Sequence, residues 1–261
     1  MSIGLFDSGV GGLTVLKEIH HLLPKQKTIY FGDTARVPYG AKTPEQLLTF
    51  AREIIDFLLE KNVKAVVIAC GTSGSYTYDK LVELYPTLPL VDVIRPGVDL
   101  CANLDIHRFG LIGTVATIRS GVFARLLKEK RPEAEIYPRA CPLFASMIEA
   151  GLKPNHPALR FAAESYLADM KGNIDALIMG CTHYPLLADV FRDILGDVKL
   201  INLGEATAIA LKNRLQELNL TAGEDIPKHE FYVSSNPENF AATGKLILEK
   251  EILPLIKPLG H

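Results

Sequence analysis

The chain has 261 residues, with 28 Lys and Arg against 30 Asp and Glu and a formal net charge of −2. That length buries a large core, as one big domain or two of ordinary size, and near-neutrality excludes the basic footprint of a nucleic-acid-binding surface. No apolar run approaches the ~18 residues of a membrane span, no signal-peptide pattern opens the chain, and four widely spaced cysteines without a C-x-x-C argue against a zinc knuckle, a redox dithiol or a disulfide framework. A reducing cytoplasm is the expected compartment.

Short β-rich apolar runs alternate with helix-period stretches. Strands are predicted at 3–6, 28–31, 65–69, 90–94, 109–112, 135–138, 176–179, 199–202 and 230–233. Each is brief and largely unalternating, as befits strands covered on both faces. Between them, Leu13, Leu16, Ile19 and Leu23 recur at helical spacing. Thr43-Pro44-Glu45-Gln46 reads as an N-cap, a proline at the first helical position and a capping-box Gln. Further helices are predicted over 73–85, 120–130, 156–171, 184–195, 206–218 and 237–251. The alternation implies a parallel α/β architecture, in which ligands bind beyond the carboxyl ends of strands.

Gly4-Leu5-Phe6-Asp7-Ser8 is echoed by Gly110-Leu111-Ile112-Gly113-Thr114, an offset of 110 − 4 = 106 residues. Cys70 and Cys181 lie 181 − 70 = 111 residues apart. We expect two similar α/β domains related by pseudo-twofold symmetry, with the active site in the cleft between them. The first comprises 1–95 plus 206–261 and the second 96–205, with the boundary near Arg95-Pro96-Gly97.

The unusual residues sit at predicted strand ends. Cys70-Gly71-Thr72 and Cys181-Thr182-His183 each follow an apolar run. A lone cysteine is usually a buried, inert one, but two at equivalent ends suggest a pair of weak acids facing one ligand. Such a pair suits removal of a proton from one face of a carbon and its return to the other. His183 adds an imidazole that titrates near neutrality. Cys101, Cys141 and the other histidines, His20, His21, His107, His156, His229 and His261, are assigned no chemistry, and no metal site is expected. Asp7-Ser8-Gly9-Val10-Gly11-Gly12 lacks a third dinucleotide-type glycine, because Thr14 stands there. Its expected role is a tight turn whose N–H groups face a small anion, against the plainer reading of a mere strand-to-helix turn. Pro38-Tyr39-Gly40 has the stiffness of a binding loop or of an ordinary surface turn.

Together with Gly32-Asp33-Thr34-Ala35-Arg36, Gly113-Thr114 with Thr117, Ala140-Cys141-Pro142-Leu143-Phe144 and Gly180-Cys181-Thr182-His183-Tyr184-Pro185, these segments resemble the aspartate/glutamate racemase superfamily over essentially the whole chain. The resemblance implies a cofactor-independent, two-base racemase that supplies D-glutamate for bacterial peptidoglycan, with glutamate as partner, no nucleic acid or membrane, and a homodimer as a common state. It implies Cys70 and Cys181 as proton carriers, assisted by Asp7 and His183 respectively. Ser8, Tyr39, Gly40, Gly71, Thr72, Thr114, Thr117 and Thr182, with Asp7 and His183, would surround the substrate, and Glu149 would support His183.

Two departures stand out. Gly71 replaces the family's usual Asn, and a water or Ser73 would have to take over its hydrogen bonds. Asn202-Leu203-Gly204 stands where an Asp and a small hydroxylated residue are expected. Alternatives therefore stay open: a racemase of aspartate or another amino acid, or an amino-acid-binding homologue without turnover.

Overall fold

The computed structural model describes residues 1–220, 222 and 226–259; His261 lies outside them. The chain opens with β1 (Ser2–Asp7), α1 (Leu13–Leu22), β2 (Lys27–Gly32), α2 (Pro44–Glu60), β3 (Val63–Ile68), α3 (Gly71–Leu84) and β4 (Leu90–Asp92). After α4 (Ile94–Ala102) come β5 (Arg108–Gly113), α5 (Val115–Ser120), α6 (Val122–Lys130), β6 (Glu135–Ala140), α7 (Pro142–Glu149), α8 (Pro157–Leu167), β7 (Ala176–Met179), α9 (Ala188–Leu195) and β8 (Lys199–Asn202). It closes with α10 (Leu203–Glu217), β9 (Glu230–Val233), α11 (Pro237–Leu248) and β10 (Leu255–Ile256).

The strands form two all-parallel sheets, ordered β10-β9-β2-β1-β3-β4 and β6-β5-β7-β8. The order β2-β1-β3-β4 recurs as β6-β5-β7-β8, so the weak internal echo in sequence is an echo in topology. These are two parallel-sheet α/β domains. Residues 3–7 of β1 and 65–68 of β3 are buried without alternation, because helices cover both faces. Register then aligns the strand ends. Asp7 is level with Gly32 and Phe6 with Ile68, while Ile112 is level with Met179. Residues just past these points share one edge of each sheet.

Several expectations are corrected. The strand predicted over 90–94 stops at Asp92, and Arg95-Pro96-Gly97 lies inside α4. Pro96 sits in the first turn, where its missing N–H costs nothing, and the Asp92 carboxylate accepts from Arg95 N at 3.1 Å. Gly97 is a packing site, since a Cβ there would stand 2.4 Å from the Leu203 side chain. The helix predicted over 120–130 is α6, starting at Val122, and a separate helix, α5, precedes it across left-handed Gly121 (φ +64). Thr43 and Gln46 make the expected reciprocal cap of α2, at 3.3 and 3.0 Å. Among the described residues no helix is long and apolar enough to cross a membrane.

α7 matters most for the site, and one aromatic anchors it. Phe144 is fully buried and meets Tyr166 and Tyr184 edge-on, with ring centroids 5.3 and 5.2 Å apart. Phe144→Ala should therefore cost about 3–5 kcal/mol. The expected outcome is a lower urea midpoint at unchanged m-value.

Candidate active site

A cavity of about 500 Å³ lies between the carboxyl ends of the two sheets. The first half of the chain contributes Ser8, Tyr39, Gly40, Cys70, Gly71 and Thr72 to its wall. The second contributes Thr114, Cys181, Thr182 and His183. Asp7 and Thr117 stand behind this wall, 0% and 4% exposed.

Cys70 caps α3. Its sulfur accepts from Ser73 N at 3.5 Å and lies 3.9 Å from Ser8 Oγ. Burial, then the nearby Asp7 carboxylate, pushes its thiol up to about 12. Cys181 follows β7, and its sulfur lies 3.6 Å from His183 Nδ1. His183 Nε2 is 2.7 Å from Glu149 Oε1, which also accepts from Val10 N at 2.8 Å. Burial alone would lower His183, but hydrogen bonds to Cys181 and Glu149 outweigh it and hold the imidazole well above its usual range.

Asp7 does not hydrogen-bond either thiol. It accepts from Gly9 N at 2.9 Å and from Thr182 Oγ1 at 3.1 Å. Burial raises its carboxyl, opposed by the charge of His183. The glycine turn is thus corrected in detail. Its N–H groups do face carboxylates, but those of Glu149 and Asp7. Its glycines make room for the same groups. A Cβ on Gly9 would lie 2.0 Å from Glu149 Oε1, and one on Gly11 2.4 Å from His183 Nδ1.

Thr72, Thr114 and Thr117 join their hydroxyls across the two halves, at 2.8, 3.2 and 3.0 Å. Thr114 also caps α5. Tyr39 turns its hydroxyl away from the cavity to donate to buried Asp33, so a ligand meets its ring and backbone. Ser73 cannot replace a side chain at position 71, because it is fully buried and points at Thr77. Asn202 caps α10 through Gly204 N at 3.0 Å and reaches Glu18 at 3.2 Å, a structural role.

Sequence reading missed most of one wall. Pro142, Ala145, Ser146 and Glu149 of α7 all line the cavity. Their spacing of i, i+3, i+4 and i+7 is a single helix face, and this was the available signal.

A family model described as Asp/Glu/Hydantoin racemase matches residues 3–211. A glutamate racemase of Geobacter metallireducens is 42% identical over 252 residues, 95% of this chain and 92% of that relative. One of Aquifex aeolicus is 40% identical over 257 residues, 98% and 97% of the two chains. A solved glutamate racemase of Francisella tularensis, in complex with D-glutamate, matches with a TM-score of 0.91 at 38% identity, covering 99% of this chain and 97% of its own. An aspartate racemase of Picrophilus torridus shares the fold at a TM-score of 0.62 and 16% identity, covering 85% and 96%. With 209 consecutive residues inside the family model (211 − 3 + 1) and full-length relatives near 40% identity, the chain belongs to the Asp/Glu/hydantoin racemase family.

Proposed function

We propose that the chain interconverts L- and D-glutamate without a cofactor, with Cys70 and Cys181 as the two proton carriers. The observation that carries this reading is that both thiols open onto one cavity from equivalent strand ends of two sheets of like topology. The glutamate racemases it resembles over nearly their full length favour glutamate as substrate. The domains would be 1–95 with 206–261, and 96–205, with the reacting carbon between them. The D-glutamate would serve peptidoglycan synthesis, and so cell-wall biogenesis and cell shape, in the cytoplasm, with a homodimer as the working form.

In each direction one cysteine, as thiolate, takes the proton from Cα and leaves the electron pair on carbon. The other, as thiol, returns a proton to the opposite face. The pair holds one proton before and after each turnover and two while the carbanion exists, and it titrates as a unit. An α-proton is far less acidic than a thiol, so the developing carbanion needs help. The first-turn N–H groups of α3, with the hydroxyls of Ser8, Thr72, Thr114 and Thr182, which line the cavity, would hold the substrate's carboxylates and ammonium. Asp7 holds the Thr182 hydroxyl from behind and Thr117 that of Thr72.

The direct test is L-glutamate with the purified protein in D2O, following the α-proton by NMR and the optical rotation together, with L-aspartate in parallel. Loss of both glutamate signals is expected. Retention of both on glutamate with loss on aspartate would reassign the substrate, and retention on every amino acid would leave a binding protein. Cys70→Ala and Cys181→Ala should each lower racemisation by about 10³-fold or more, while exchange from one face persists. Racemisation by either variant at the wild-type rate would sink the two-base assignment.

His183 gives a pH prediction. Its partners raise its pKa against burial, so the imidazolium persists through neutral pH and is lost on the alkaline side. Glu149→Gln removes one stabilising charge, and the imidazole then deprotonates at lower pH. The alkaline limb of the rate profile should move down, with kcat falling about 10- to 100-fold. An unmoved limb in a pH series would separate Glu149 from His183.

A further inference from the structure

The turn after β1 fixes most of its own backbone. Asp7 Oδ1 accepts from Gly9 N at 2.9 Å, and Leu13 N donates to Val10 O at 3.1 Å. Those bonds hold the peptide units on either side of the Gly9–Val10 peptide. The middle unit is held from outside the turn. Its N–H donates to Glu149 Oε1 at 2.8 Å, and its carbonyl accepts from the Tyr30 hydroxyl at 2.8 Å.

Tyr30 lies in β2 and is fully buried. Its ring packs on Phe240 and Phe231, with centroids 5.8 and 6.5 Å away. Burial, then the charges of Asp7 and Glu149, raises its phenol well above the usual range, so the hydroxyl stays a donor. The middle peptide thus joins two sets of hydrogen bonds into one series. It runs from Tyr30 O–H through Gly9 C=O and Val10 N–H to Glu149, then to His183 Nε2 at 2.7 Å, and from Nδ1 to Cys181 Sγ at 3.6 Å. A peptide unit beside a glycine turns over easily, because no Cβ resists. Turned over, this one would aim its carbonyl at the Glu149 carboxylate and drive it off the imidazole. Tyr30 opposes that reversal, since the present orientation is the one that gives its hydroxyl an acceptor.

We propose that Tyr30 is a positioning residue of the proton relay, holding the Gly9–Val10 peptide so that Glu149 stays on His183 and the imidazolium stays beside Cys181. The inference rests on the reading of Cys181 as a proton carrier. The titratable groups that face the imidazole are Cys181 on its own segment, Glu149 on α7 and Asp7 at the end of β1. Tyr30→Phe alters none of them and keeps the ring that packs on Phe231 and Phe240.

The test places wild type, Tyr30→Phe, Glu149→Gln and the double variant in one pH series on L-glutamate. In Tyr30→Phe the alkaline limb should move down by about 0.5–1 pH unit, the equivalent of one lost hydrogen bond. At the wild-type optimum kcat should fall about 3- to 10-fold, with KM nearly unchanged because the phenol does not reach the cavity. Because Tyr30 acts through Glu149, the double variant should match Glu149→Gln within about twofold. An unmoved limb in Tyr30→Phe would overturn the proposal, whether or not kcat falls, since a packing role lowers kcat without moving the limb. A further 3- to 10-fold loss in the double variant would overturn it too. A wild type that does not racemise glutamate would instead overturn the reading on which it stands.

Discussion

The two halves of the site meet where side chains are missing. Gly9 admits the Glu149 carboxylate and Gly11 admits the His183 ring, each at a distance no Cβ could share. Close-packed interiors transmit such displacements instead of absorbing them. Neither half therefore carries a complete site. The imidazole next to Cys181 reaches its place only because the turn after β1 leaves space for it, and the carboxylate behind that imidazole takes a hydrogen bond from the same turn.

The scaffold is nearly symmetric and its electrostatics are not. Cys70 has an amide N–H and a hydroxyl for company, and burial holds its proton on. Cys181 faces an imidazole that two acidic partners keep charged against burial. Equivalent strand ends thus present sulfur in two different settings, one dominated by desolvation and the other by a hydrogen-bonded relay.

Much of this was legible in the sequence because its causes are local. Strands buried on both faces leave unbroken apolar runs, as in β1 and β3, and Thr43-Pro44-Glu45-Gln46 states its own cap. Cys70, Cys181 and His183 stand out because strand ends seldom carry such residues. Other features depended on partners far along the chain. Val10 and Glu149 are 139 residues apart, so the turn looked ready for an external anion when it already held an internal one. Pro96 and Gly97 looked like punctuation because nothing nearby shows that Leu203 will pack on the glycine. Tyr39 looked free to bind because its hydroxyl's acceptor, Asp33, lies in the loop's own buried corner.

The unequal company of the two sulfurs has a kinetic consequence. Mirror-image amino acids have equal free energies, so interconverting them has an equilibrium constant of one. The Haldane relation then requires equal kcat/KM in the two directions, however different Cys70 and Cys181 are. Under the proposed reaction, any asymmetry conferred by the His183–Glu149 relay must divide itself between turnover and saturation. The enantiomer turned over faster would be the one held more weakly.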